Sequence, residues 1–298
     1  MTALPSISGL QGVHAAAITP RGRNGDINFG AVFEIIDYLC AARVRGIALF
    51  TAWGEYPALA VDERARLTYL AVKRSRVAVL AGVGSATLDH SLELAREARA
   101  AGAAALLVPP PLYYHYDQDD ILEYYTQFAA QMGSGTALVL TGEIAPETAF
   151  RLLESGRFAG IEDGRGTMES LERLRGCAGA RAVLAGDDRL LVYARSAGLG
   201  VLSAAACAAP ELTMALDSAI GAGDVVQIER LEAKRQELLG WLARFPLPVG
   251  VKTAVAARGI QTGPLPVPLS PGKQQSLEQF RAWFKSWLPA AKKLAAHA

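Results

Sequence analysis

Phe158-Ala159-Gly160-Ile161-Glu162-Asp163-Gly164-Arg165-Gly166 is a short apolar run that ends abruptly in two carboxylates and a glycine-rich turn. The helical spacing of Thr167 to Arg175 follows directly. A strand that hands over to a helix in this way is the unit of a parallel α/β protein, and residues at the carboxyl end of such a strand face the ligand. Glu162 is therefore the first candidate for the centre of the site.

Working outward, the same unit recurs. Val13–Thr19, Gly46–Thr51, Val77–Val83, Ala103–Val108, Thr136–Thr141, Arg181–Ala185 and Leu199–Ala204 join Phe158–Ile161 to make eight apolar runs. They show little polar alternation, as expected of parallel strands covered on both faces. Helical segments separate them. In Thr87–Ala101, Leu88, Leu92, Ala95 and Ala98 share one side, with Glu93, Arg96, Glu97 and Arg99 largely opposite, and Gly102 ends the helix. Asp62, Pro146-Glu147 and the acidic cluster Asp117–Asp120 read as amino-terminal helix signals.

Eight β-then-α units predict a closed (β/α)8 TIM barrel over residues 1–222, rather than an open doubly wound sheet. No GxGxxG or GxxxxGK[ST] follows any run, so no nucleotide cofactor is implied. Residues 223–298 form a C-terminal helical extension, with helices over Asp224–Phe245, Pro248–Arg258 and from about Gln274 to His297. Trp241, Trp283 and Trp287 need a surface to cover, so this extension packs on the barrel or on a neighbouring subunit.

Composition excludes several function classes. The 298 residues are 51% hydrophobic with a net charge of +1, which gives no basic field for nucleic acid or an anionic membrane. Cys40, Cys177 and Cys207 have no CxxC spacing, so neither a disulfide framework nor a zinc site is expected. Met1 to Leu10 lacks the pattern of a signal peptide, and no apolar stretch approaches the ~18 residues of a membrane span. The expectation is a cytoplasmic chain.

Several stretches together resemble the dihydrodipicolinate synthase / N-acetylneuraminate lyase family. They are Gly12–Pro20, Gly46–Leu59, Ala81–Ser85, Val108–Gln118, Ala185–Asp188, Gly200–Ser203 with Ala209-Pro210-Glu211-Leu212, and Pro248–Ala254. The resemblance runs nearly end to end and implies a (β/α)8 enzyme handling pyruvate or related 2-oxo acids. It implies a lyase of aldolase or dehydratase type, without a cofactor, that assembles as a homo-oligomer, dimer or tetramer. In the family a lysine at the end of the sixth strand, in a pattern like G-I-K-E, forms a Schiff base with the ketone. The matching place here is Gly160-Ile161-Glu162-Asp163, and a carboxylate cannot form an imine. Lys73, Lys234, Lys252, Lys273, Lys285, Lys292 and Lys293 all lie off the expected strands.

Neighbouring motifs differ as well. The family's second-strand loop, G-T-T-G-E, reads Thr51-Ala52-Trp53-Gly54-Glu55 here, so Ala52 supplies no side-chain donor and Trp53 fills space. Thr141 stands where a tyrosine relays protons at the fifth strand, and the arginine further on is missing. Tyr113 matches the tyrosine that family members contribute across a subunit interface. The resemblance places Glu162, Thr141 and Tyr113 in catalytic positions and Ala52, Trp53, Glu55, Glu143, Asp187 and Leu202 around a 2-oxo or hydroxy acid.

Glu162 has two open readings: the relic of a decayed site, kept ionised by solvent or Arg165, or a functional carboxylate acting as a general base or as a metal ligand in a metal-assisted lyase or hydratase. If Glu55, Glu143, Glu162 and Asp187 face one mouth, their repulsion raises carboxyl pKa values or recruits Mg²⁺ or Mn²⁺. Beyond that open reading of Glu162, no metal site is assigned. The function classes are thus a lyase without an imine and a catalytically silent ligand-binding homologue. His14 reads as structural and Cys207 as a small buried residue.

Overall fold

The computed structural model describes residues 9–265 and 267–298. Most of the amino-terminal stretch read for a leader thus lies outside the described residues. The strands are β1 (Gly12–Ala16), β2 (Gly46–Leu49), β3 (Ala78–Gly82), β4 (Ala105–Val108), β5 (Ala137–Leu140), β6 (Gly160–Asp163), β7 (Ala182–Ala185) and β8 (Gly200–Ser203). They pair in parallel in chain order, and β8 closes onto β1, so the eight form a closed barrel. Each of the eight expected runs overlaps a strand, although β1 starts at Gly12, before Val13, and β6 runs on through Glu162 to Asp163.

Helices alternate with them: α1 (Phe29–Ala41), α2 (Val61–Arg74), α3 (Leu88–Ala101), α4 (Gln118–Met132), α5 (Pro146–Glu154), α6 (Met168–Cys177) and α7 (Leu191–Ser196). After β8 come α8 (Ala204–Ala208), α9 (Pro210–Ala222), α10 (Val225–Leu242), α11 (Val249–Ala257) and α12 (Pro271–Ala295). The architecture is a (β/α)8 TIM barrel with additional C-terminal helices. None of the described helices is long and apolar enough to cross a membrane.

Local chemistry sets the helix ends. The Thr87 hydroxyl accepts from the His90 N–H at 3.4 Å, and Gly102 takes a left-handed φ of 94° to stop α3. Asp117 caps α4 by accepting from the Asp119 and Asp120 amides, at 3.0 and 2.9 Å. The expected role of Asp62 is corrected. It lies inside the first turn of α2, and Glu63 reaches back to the Ala60 amide at 3.1 Å. A reaching carboxylate three residues into a helix can satisfy that amide whatever side chain precedes it.

Two apolar layers result. Outside the strands, large residues such as Ile36, Leu39, Tyr125, Phe128 and Phe158 fill the space under the helices. Inside the barrel the packing is smaller, with Ala48, Leu80, Ala105, Leu107, Ala137, Val139, Ala182, Leu184 and Leu202. Register determines which polar residues join them. Glu162 pairs with Leu184, and His14 pairs with Leu202 and Gly46, so both side chains turn inward. His14 is completely buried.

The C-terminal helices cover their own aromatics. Trp241 lies against Phe280 and Trp283, with ring centroids 5.6 and 5.7 Å apart, and Trp283 stacks on Trp287 at 5.2 Å. Such pairs add about 0.5–1.5 kcal/mol each beyond their burial. Two buried cations tie this region to the barrel. Arg235 of α10 forks onto Glu232 and donates to the Asp188 carbonyl at 2.8 Å. Lys252 of α11 donates to Glu55 at 2.7 Å and to the Pro264 carbonyl at 3.2 Å.

Candidate functional site

The carboxyl ends of the strands and their loops enclose a cavity of about 430 Å³. Its walls include Ala16 of β1, Phe50, Thr51, Ala52, Trp53 and Tyr56 after β2, and Gly82 of β3. Leu107 and Pro109, Thr141 to Glu143, Glu162 and Gly164, Gly186, Leu202 and Leu247 complete it. Among the described residues the lining contains no lysine, arginine or histidine.

Glu162 reaches this cavity because parallel register turns it inward at the last turn of the barrel. Its Oε2 accepts from the Gly142 N–H at 3.0 Å. The residue keeps some accessible surface while protein surrounds its carboxyl, and this burial pushes the pKa from 4.5 up to about 7. The Gly142 amide opposes the shift and the neighbouring Asp163 adds to it. Arg165 does not neutralise Glu162, because its guanidinium donates to the Ile144 carbonyl at 3.5 Å. Asp163 faces away from the cavity, accepting from Ser170 Oγ at 2.7 Å and from the Arg165 amide at 3.2 Å.

Glycine makes the pocket. A Cβ on Gly186 would lie 1.7 Å from Glu162 Oε1, so the absence of a side chain there gives the carboxylate its place. Gly142 has a φ of 84°, and a Cβ on Gly164 would meet the Gly142 carbonyl carbon at 2.6 Å. These contacts bring the amide that holds Glu162 close to β6.

The opposite wall rests on Arg64, a residue the sequence reading missed. It is buried on α2 and donates to the Gly82 and Gly84 carbonyls, both at 2.7 Å. Its guanidinium also lies 5.2 Å from the Phe50 ring centroid and 5.1 Å from that of Tyr56. In an amphipathic helix such an arginine reads as solvated, and only the Gly82-Val83-Gly84 spacing hinted at close backbone approach. Burial lowers its pKa to about 10, which still leaves it charged at neutral pH.

Of the residues expected at the site, Glu162, Thr141, Ala52, Trp53, Glu143 and Leu202 line the cavity. Glu55, Asp187 and Tyr113 do not. The expectation of four carboxylates facing one mouth is corrected. Glu55, with a left-handed φ of 55°, turns its buried side chain onto Lys252. Asp187 accepts from Arg189 Nε at 3.0 Å, which holds its pKa below the ordinary carboxylate value despite partial burial. In each case a nearby cation satisfies the charge locally, so repulsion does not gather the acids. Among the described residues no group of three or more His, Cys, Asp or Glu could hold a metal ion. Tyr113 is 87% exposed on the loop after β4, its ring edge-on to Tyr114.

Cys207 is buried in α8, where Tyr38 Oη meets both its carbonyl and, at 3.7 Å, its Sγ. His14 lies at the other end of the barrel. Its Nε2 is 3.2 Å from the Leu10 carbonyl, a contact that requires the hydrogen on that nitrogen, and Nδ1 is left without a partner. Desolvation lowers its pKa from 6.5 to about 4.

Comparison with known proteins agrees with this architecture. The 4-hydroxy-tetrahydrodipicolinate synthase of Anaeromyxobacter sp. (strain K) is 31% identical over 286 residues, covering 91% of this chain and 95% of that protein. The enzyme of the same name from Methanothrix thermoacetophila is 28% identical over 281 residues, with 91% and 95% covered. The solved 4-hydroxy-tetrahydrodipicolinate synthase of Methylacidiphilum fumariolicum SolV superposes with a TM-score of 0.85 at 27% identity, over 95% of this chain and 99% of that one. With the model of the Dihydrodipicolinate synthetase family matching residues 9–286 and the barrel closed as described, the chain belongs to that family.

Proposed function

We propose that this family member does not form a substrate imine, and that Glu162 serves instead as the proton-exchanging group for a small ligand bearing a carbonyl or hydroxyl. The supporting observation is a carboxyl whose pKa burial pushes up to about 7, in a cavity with no lysine among its described lining residues. A group titrating there is present in both forms at neutral pH, so it can donate a proton to a ligand oxygen or accept one from a ligand C–H or O–H. The reading is of a lyase or dehydratase step without a covalent enzyme intermediate. The family resemblance suggests 2-oxo or hydroxy acids as ligands.

The test is pyruvate with borohydride followed by intact-mass measurement. The expected result is an unchanged mass. A stable pyruvyl adduct on any lysine overturns the reading.

A second reading, a silent ligand-binding homologue, is favoured by Thr141 in the relay position. Turnover that Glu162→Gln abolishes while ligand binding persists separates the two. The metal-assisted variant has no support in the donor geometry, because Glu55 and Asp187 are already paired. Assembly into a homo-oligomer belongs to the proposal, with the exposed Tyr113 near a subunit contact, and light scattering tests it. Cytoplasmic residence fits Cys40, Cys177 and Cys207 remaining unbridged.

A further inference from the structure

Two hollows lie side by side at the mouth of the barrel. The cavity of Glu162, about 430 Å³, is larger than a three-carbon acid fills, and a second of about 570 Å³ opens between the turn after β7 and the end of α10. Trp53, Gly186 and Leu247 line both. Gly186 has no side chain with two faces, so the two spaces it borders approach each other within the width of its backbone. Leu247, 53% exposed, stands at the lip.

The second hollow suits an apolar occupant. Leu239, Leu242, Ala243 and Phe245, from the end of α10 and the turn after it, line it together with Trp53 and Leu247. Gly240 lies among them. A glycine inside a helix is destabilising relative to alanine, and a Cβ at Gly240 would meet nothing within 4 Å. No neighbour demands the glycine, and a large side chain there would fill the hollow. The polar groups around it are engaged with one another. Arg189 donates to Asp187 from Nε at 3.0 Å and from Nη2 at 2.5 Å. Asp188 accepts from the Ser203 hydroxyl and from the Ala204 and Ala205 amides, both at 2.9 Å. Gln236 donates its side-chain amide to Glu232, and the Leu239 and Leu242 carbonyls accept from the Ala243 and Phe245 amides at 3.0 and 3.2 Å. The side-chain groups left without a partner are the Trp53 indole N–H, the Gln236 carbonyl oxygen and Arg189 Nη1, on three different elements. They do not form a row that would match the successive hydroxyls of a polyol, whereas the end of α10 offers a continuous apolar face.

We propose that the ligand is a hydroxy or 2-oxo acid with an extended apolar tail, its polar head beside Glu162 and its tail running past Trp53 and Leu247 along the Gly240 face of α10. This rests on the reading of Glu162 as the proton-exchanging group and adds to it the length and polarity of the substrate. The head stays in the first cavity, where the Glu162 carboxyl, Thr141 and the buried, unpartnered Thr51 Oγ1 are at hand. A short acid uses these contacts alone. A tailed one also takes its hydrocarbon out of water.

The experiment is calorimetric titration of the intact chain with racemic 2-hydroxypropanoate, 2-hydroxyhexanoate and 2-hydroxy-4-phenylbutanoate, and with gluconate, which is 2-hydroxyhexanoate carrying four further hydroxyls. Each buried methylene is worth about fourfold in affinity, so the phenyl-tailed acid is expected to bind about tenfold or more tighter than 2-hydroxypropanoate. Gluconate is expected to bind more weakly than 2-hydroxyhexanoate. Gly240→Trp, which fills the second hollow, removes the gain from the tail, while 2-hydroxypropanoate, too short to reach it, binds as before. Should that variant not fold, Ala243→Phe, three residues on and on the same face, gives the same readout. A phenyl tail that adds nothing or fails to saturate, gluconate binding tighter than 2-hydroxyhexanoate, or a gain that survives the filled hollow each overturns the inference. A pyruvyl adduct after borohydride overturns the underlying reading of Glu162. An unchanged mass with no gain from the tail overturns only the assignment of the second hollow.

Discussion

The two ends of the barrel interior solve the same problem in opposite senses. His14 at the floor and Glu162 at the mouth are both polar residues that strand register turns inward, and each is accommodated by a glycine. A Cβ on Gly46 would lie 2.6 Å from His14 Nδ1, as one on Gly186 would crowd Glu162 Oε1. Burial drives both groups toward neutrality, His14 to about 4 and Glu162 to about 7. The floor histidine is sealed under strands, whereas the mouth glutamate opens on a cavity. The same desolvation therefore yields an inert packing group at one end and a proton carrier poised near neutral pH at the other.

The largest effect that would sharpen this contrast comes from a third buried group, Glu55, which is held by a cation. Removing its partner in Lys252→Met leaves a carboxylate buried alone and is expected to cost about 3–5 kcal/mol in urea denaturation. The double variant Lys252→Met/Glu55→Leu should recover most of that loss. If Lys252→Met alone proves harmless, Glu55 behaves as Glu162 does and the distinction between paired and neutralised acids fails.

Next come the glycines. Gly46→Ala pushes a methyl against the His14 ring and also within 2.9 Å of the Ala78 carbonyl, which cannot swing aside. A loss of about 1–3 kcal/mol is expected. Gly186→Ala should cost at least as much, because besides Glu162 Oε1 its methyl meets the Asp163 carbonyl at 2.8 Å, and Gly186→Ala/Glu162→Ala should relieve only the side-chain part of that loss. A Gly186→Ala loss well below that of Gly46→Ala would show that the mouth yields where the floor does not.

The smallest effect is the response to pH. Glu162 imposes no ionisation penalty below pH 4.5 and a growing one as pH rises to about 7, because the unfolded chain releases that proton first. His14 works the other way, weakening the fold as pH falls from 6.5 toward about 4, because the unfolded chain takes up that proton first. Over the shared window the two slopes oppose each other. Glu162→Gln should expose the histidine's slope and be more stable than the parent at pH 8 by about 1 kcal/mol, a figure reduced for the carboxyl's access to solvent. Denaturation midpoints across pH 4 to 8 provide the check.

The fold was legible because it is written in repetition: eight apolar runs, each followed by an amphipathic segment, leave few alternatives. That Glu162, Thr141, Trp53 and Glu143 line one cavity was legible for a related reason, since strand ends in a barrel share one mouth. Glu55 and Asp187 were misplaced because proximity in a motif says nothing about where a flexible carboxylate turns. Lys252, 197 residues further along the chain, decides the orientation of Glu55, and no local signal announces that pairing. Arg64 was missed for the converse reason, because a charged residue on an amphipathic helix ordinarily faces water. The importance of Gly186 depends on a single atom of Glu162, which only coordinates reveal.

The reach of Arg235 and Lys252 back to the carbonyl of Asp188 and the carboxylate of Glu55 has a consequence for inheritance. A gene fragment ending after α9 would encode every barrel strand yet strand two buried polar groups beside the mouth. Recombination could therefore exchange the tail only for another that brings equivalent cations, which makes barrel and tail a single heritable piece.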